Sequence, residues 1–234
     1  MQIVTPASIE HVAWEGELDA PPIAYTYSTK GSARPVVSIG QPEVWSVGKA
    51  LESETGKKWV PPLGDAKYWL VRLACTLREP PRPAEITEAT QTVFLRPQPH
   101  SAGEESAYAQ NLFPQRLGVE DKSTFTFGLG PELGFVDGSS IKVGELGATI
   151  EYRKVFPVIQ AYGLGESAPS WVFKPHSAYP LAGSQFVYAV LVMRAPATGL
   201  RTHVEVTVTM QSAFGPVKYG LPEEARQHTQ FSLM

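Results

Sequence analysis

Residues Tyr152–Arg194 read YRKVFPVIQAYGLGESAPSWVFKPHSAYPLAGSQFVYAVLVMR. Short runs of β-branched and aromatic residues are cut by glycine and proline, the pattern of strands joined by tight turns. An earlier part of the chain follows the same plan. Ile23-Ala-Tyr25 is echoed by Ile150-Glu-Tyr152, and Pro35-Val36-Val37 by Pro157-Val158-Ile159. Trp59-Val60 before Pro61 matches Trp171-Val172 before Pro175. The apolar run Tyr68–Leu77, ending in Arg78-Glu79-Pro80, matches Phe186–Met193, ending in Arg194-Ala195-Pro196. A Thr-rich strand follows each, and loops absorb the drift in spacing at small entropic cost.

Landmarks in the same order point to an internal repeat. The expected fold is all-β: two related antiparallel β-sandwich-like halves in tandem, with few short helices. The halves are placed at 1–96 and 119–234. The linker 97–118 holds a possible short helix, since Ser101 and Glu104 have the spacing of a capping box. A second short helix is expected at Ser46–Thr55, capped by Ser46, and a third at Leu221–Phe231. A single fused sandwich or jelly roll is the alternative architecture.

Composition narrows the function classes. Of 234 residues, 43% are hydrophobic and 18% charged, which is globular rather than disordered. A net charge of −3 with no Lys/Arg cluster argues against nucleic-acid binding. Cys75 is the single cysteine, so no intrachain disulfide forms, and its apolar run makes it a small buried hydrophobe. The first residues lack a signal-peptide pattern, and the longest apolar run, Phe186–Met193, has the length of one strand rather than of a membrane helix. These features predict a cytoplasmic protein with no membrane partner.

No motif carries chemistry. Glu54-Thr-Gly56-Lys57-Lys58 lacks the residues of a phosphate-binding loop, and Gly128-Leu-Gly130-Pro131 lacks the spacing of a dinucleotide loop. Asp137-Gly138 is a hairpin turn signal. Ser184 lacks the second glycine of a nucleophile elbow. His203 and Glu205 share one polar strand face, but two ligands do not make a zinc site. Glu88, Glu151 and Glu205 lie on strands with nothing to bring two of them together. No catalytic, cofactor-binding or metal-ligating residue is therefore expected, and no cofactor is implied.

What remains is a non-enzymatic structural or protein-interaction module, assembling with a protein partner or with itself. The alternatives are a glycan-binding sandwich that uses exposed aromatic rings and an enzyme whose site is gathered from dispersed residues. Trp59 and Trp171 are expected to be buried, with each indole N–H held by a backbone carbonyl. In Tyr68–Leu77, Trp69, Val71, Leu73, Cys75 and Leu77 form the core face; Leu70, Arg72, Ala74 and Thr76 form a face that water tolerates. In Phe186–Met193 both faces are apolar. A second surface, from the other half or another subunit, is therefore expected over Phe186, Tyr188, Val190 and Val192.

Overall fold

The protein is seen as a computed structural model that describes residues 2–4, 8–20, 33–49, 52, 60–61, 63–117, 124–128, 134–137, 147–151, 158–176, 180–212 and 215–233. The strands in chain order are β1 (Gln2–Val4), β2 (Val12–Glu17), β3 (Val36–Gly40), β4 (Glu43–Ser46), β5 (Lys67–Leu77), β6 (Glu85–Gln98), β7 (Ala107–Phe113), β8 (Arg116–Leu117) and β9 (Thr124–Gly128). They continue as β10 (Gly134–Asp137), β11 (Gly147–Glu151), β12 (Val158–Tyr162), β13 (Ser170–Lys174), β14 (Gly183–Met193), β15 (Gly199–Ser212), β16 (Gly215–Gly220) and β17 (Gln230–Ser232).

The all-β class holds. Two large antiparallel sheets make the body. One runs β2-β3-β5-β14-β7, with β4 also on β5; the other runs β16-β15-β6-β13-β12-β8, with β17 on β15. A third, smaller sheet runs β1-β11-β9-β10.

Each large sheet is built on one long strand pair. β5 and β14 are each 11 residues long and pair antiparallel from Lys67↔Met193 to Leu77↔Gly183. β6 and β15 are each 14 residues long and pair antiparallel from Glu85↔Gln211 to Gln98↔Gly199. The sequence echo between Tyr68–Leu77 and Phe186–Met193 thus falls on neighbouring strands of equal length. Each large sheet takes strands from both 1–96 and 119–234. We keep the division into 1–96, 97–118 and 119–234 as a proposal about the repeating unit.

Alternation explains the core. On β15, Leu200, Thr202, Val204, Val206, Val208 and Met210 are buried, and the residues between them from Arg201 to Thr209 are more exposed. β5 departs from this pattern. Its expected core face is buried, but so are Leu70, Arg72 and Ala74 on the face expected to meet water. β5 is central, with β14 on one side and β3 and β4 on the other, and the rings of Trp45 from β4 and Phe186 from β14 lie against Arg72 on that face.

Helices are shorter than expected. Residues 101–111 give two 3₁₀ turns, His100–Ala102 and Glu104–Ser106, and then β7. Gly103 interrupts at φ +80°, and pairing with β14 claims Ala107–Phe113. Near the end only Ala225–His228 is α-helical. At Val47–Lys49 a helix does begin, and Ser46 Oγ accepts the Lys49 N–H at 3.5 Å. The rest of that expected helix lies largely outside the described residues.

Trp171 is fully buried, as expected, but its indole N–H has no protein partner. Its register neighbour Gln91 is equally buried, and both atoms of its amide also lack a protein partner. The carbonyl expected to hold the Trp171 N–H is not found. Trp59 lies outside the described residues. Trp171→Ala should destabilise by about 3–5 kcal/mol through the cavity it leaves. Gln91→Leu should cost under about 1 kcal/mol, since an unpaired buried amide contributes little. Urea unfolding checks both. A Trp171→Ala loss below about 1 kcal/mol would contradict this packing.

Candidate functional site

Among the described residues, those with reactive side chains do not assemble a centre. Cys75 is buried in the middle of β5, and burial pushes its thiol pKa up to about 12. The thiolate is the nucleophile, so this cysteine is inert. His203 Nε2 lies 3.2 Å from Glu205 Oε1, and His203 Nδ1 lies 3.5 Å from Thr229 Oγ1. Phe94 stacks on the same imidazole, with centroids 6.2 Å apart. Among the described residues no three of His, Cys, Asp or Glu group as metal ligands. Glu88 pairs instead with Lys174 at 3.5 Å. A thiol reagent at pH 8 should leave Cys75 unmodified in the folded protein and modify it fully in denaturant. Titration of native thiol at the denatured rate would overturn its burial.

Phe186, Tyr188, Val190 and Val192 stand on one face of β14, opposite Ala74, Arg72, Leu70 and Tyr68 of β5. All four are buried within a single chain. Phe113 of β7 meets the Tyr188 ring at a 6.2 Å centroid distance. The guanidinium of Arg72 lies 5.5 Å from the Trp45 ring centre and 5.8 Å from that of Phe186. Arg72 Nε donates to Glu43 Oε1 at 2.8 Å, and its terminal nitrogen donates to the same oxygen. Burial alone would lower the Arg72 pKa; hydrogen bonds to Glu43 and Tyr188 outweigh it and raise the pKa. We keep as a proposal that these four β14 residues anchor a packing surface, one that lies inside the protomer.

Beside this face is a cavity of about 80 Å³, lined in part by Glu10, His11, Glu43, Ala74 and Phe186. It is far smaller than a ligand pocket of about 300 Å³ or more. The arginine cluster therefore reads as support for the sheet. The Arg72 side chain is 7% exposed and that of Glu43 is 44% exposed. Removing Glu43 strands a buried cation, whereas Arg72→Met removes the cation itself. Glu43→Ala should therefore be more destabilising than Arg72→Met, by about 1–2 kcal/mol. Equal losses in urea unfolding would show that the pair is effectively solvated.

Two further features stand apart from these residues. One is the small sheet. β9 is flanked by β10 and β11, both antiparallel, with Phe127↔Phe135 and Phe125↔Ile150 among the register pairs. β10 lies against β7 of the six-stranded sheet. The other is a rigid turn after β12. Tyr162 and Leu164 are 49% and 57% exposed there, and Leu164 is flanked by Gly163 and Gly165 at φ +82° and +81°. The Gly165 N–H donates to Ala109 O at 2.8 Å, and the Ala109 N–H donates to Glu166 O at 3.0 Å, which fixes the turn to β7.

No family model and no curated protein matches the chain. Solved structures do. One described as a pore forming protein is 12% identical over 83% of this chain and 82% of that one, with a TM-score of 0.41. Clostridium perfringens delta-toxin is 10% identical over 93% and 92%, at 0.43. The Clostridium perfringens NetB toxin in its membrane-inserted form is 11% identical over 89% and 90%, at 0.33. Likeness at this level concerns the general layout of strands.

These neighbours correct several expectations. The assembly-module reading, with its glycan-binding and dispersed-enzyme alternatives, is withdrawn, because the structures of similar layout are pore-forming proteins and toxins. The cytoplasmic location and the exclusion of a membrane partner go with it. The physical fault was the test applied. Among the described residues no helix is long and apolar enough to cross a membrane. A β-strand crosses by alternation, and a search for apolar runs does not see alternation.

Alternation was there to be read. From Thr124 to Phe135 the odd positions are Phe125, Phe127, Leu129, Pro131, Leu133 and Phe135. The even positions are Thr, Gly and one Glu. After the Asp137-Gly138 turn signal, Leu146, Ala148 and Ile150 alternate with Glu145, Gly147, Thr149 and Glu151.

Proposed function

We propose that the chain acts on membranes as a pore-forming β protein, and that the stretch 124–151 is its inserting element. The class is that of the structural neighbours, but the alternation along 124–135 carries the reading. Barrel strands in a bilayer turn apolar residues to lipid and polar ones to the lumen, and need about 9–11 residues to cross. The alternating stretch 124–135 meets that length. The Asp137-Gly138 signal supplies a turn, and the alternation through Ile150 supplies a returning strand.

The same stretch then has two β arrangements. In the fold described here, β10 pairs antiparallel with β9, Gly134 opposite Gly128, so β9 and β10 do not run on in one direction. Insertion straightens it. A single hairpin cannot lie open in hydrocarbon, because every backbone N–H and C=O must be paired. Two strands per chain and a barrel of at least about eight strands require about four or more copies to close. Self-association here belongs to the membrane state. The exposed Tyr162 and Leu164 suit first contact with lipid, since tyrosine favours the headgroup level.

Dye release from lipid vesicles tests this. The wild-type chain should empty vesicles of anionic, zwitterionic or sterol-containing composition. Phe125→Asp with Phe127→Asp should reduce release at least about tenfold, because a charge on the lipid face costs about 2–4 kcal/mol at mid-bilayer. The thermal midpoint of the large sheets should change little. No release by wild type from any of the three compositions, or equal release by the variant, would overturn the proposal.

A further inference from the structure

We infer that β1 is a strap that blocks the edge of β11 and must leave before β11 can pair with another copy. The inference rests on the membrane reading of 124–151. β1 and β11 form the one parallel pair among the described strands, with Gln2↔Thr149, Ile3↔Ile150 and Val4↔Glu151 in register. β9 occupies the other edge of β11. Both edges of β11 are therefore taken in this fold. A strand in a closed antiparallel barrel needs one edge for its hairpin mate and the other for a neighbouring chain. β1 holds that second edge, and in the parallel sense that a barrel of this kind does not use.

The strap is fastened at its far end. Ile9 packs against the core, so close that a Cβ on Gly40 would sit 3.0 Å from its Cγ2. The Gln41 N–H donates to His11 O at 2.8 Å, and β2 follows at the edge of the six-stranded sheet. β1 thus links the small sheet to the body through a fixed anchor. Its own grip is weak. Three register pairs in a parallel ladder are a small number of slanted hydrogen bonds, and such short pairings open locally at low cost. A weak contact on the edge that assembly needs is the arrangement of a releasable block.

The single native cysteine makes a clean test possible, because Cys75 is buried and its thiol stays protonated. Ile3→Cys with Ile150→Cys places two thiols at facing Cα positions, within reach of a disulfide. Reduced, this variant should release vesicle dye like wild type. Oxidised, it should fall at least about tenfold and recover on adding reductant. Equal release in the two redox states would overturn the strap while leaving the membrane reading intact. A second measurement needs no vesicles and stands if the membrane reading fails or the disulfide does not form. Ile3→Pro removes an N–H from the ladder and should speed amide exchange at Thr149–Glu151 at least about tenfold, with β14 and β15 unchanged. Unchanged exchange at 149–151 would show that β1 does not hold β11, and would overturn the inference.

Discussion

The backbone ladder between β5 and β14 is the constraint on which the rest depends. Eleven consecutive register pairs join Lys67–Leu77 to Gly183–Met193. Central strands of this kind are covered on both faces, so each residue along them meets a neighbour whichever way it points. That is why a cysteine, a valine series and an arginine all end up buried on the same two strands. The arginine is tolerated because Glu43 reaches its guanidinium and two rings lie against it. Where β5 and β14 end, the chain crosses to β6 and β15, and the second sheet inherits the same pairing.

Much of this was legible. The alternation of His203–Gln211 places valines and Met210 inward, and the structure agrees. The echo between Tyr68–Leu77 and Phe186–Met193 was read as equivalent strands of two halves, whereas the structure pairs the two strands in one sheet. Cys75 reads as a buried hydrophobe from its apolar run and is one. What failed were inferences that needed to know which strand lies beside which. Arg72 looks like a surface residue on a half-buried strand. Only the positions of β4 and β14 reveal that Trp45 and Phe186 flank it. The helix expected from Ser101 failed for a related reason: a local capping signal competed with a long-range ladder, and the ladder took Ala107–Phe113.

The stretch proposed to insert was hidden differently. Its signal is local, a strict alternation from Thr124 to Phe135, but glycine and proline within it draw the eye to turns. Both readings have physical grounds. Glycine at alternate positions permits a tight reversal, and it also leaves a small, polar-compatible face on an extended strand. A sequence that supports two backbone arrangements within a few kcal/mol is what a conformational change requires. The small sheet is tied to the body through β1 and touches β7 through β10.

The long ladder also bears on how the protein is made. Leu77 and Gly183 are the nearest-spaced partners in the β5–β14 pairing, and they lie more than a hundred residues apart in the chain. A ribosome delivers about 5–20 residues each second. β5 therefore waits for several seconds or more after synthesis before its partner exists, and β6 waits similarly for β15. During that interval this 11-residue strand has β3 and β4 for one edge and no native partner on the edge that β14 takes. Non-local pairing of this order slows folding and leaves unpaired strands open to association with other chains. The emerging chain thus depends on whatever shields it in the cell until β15 has been translated.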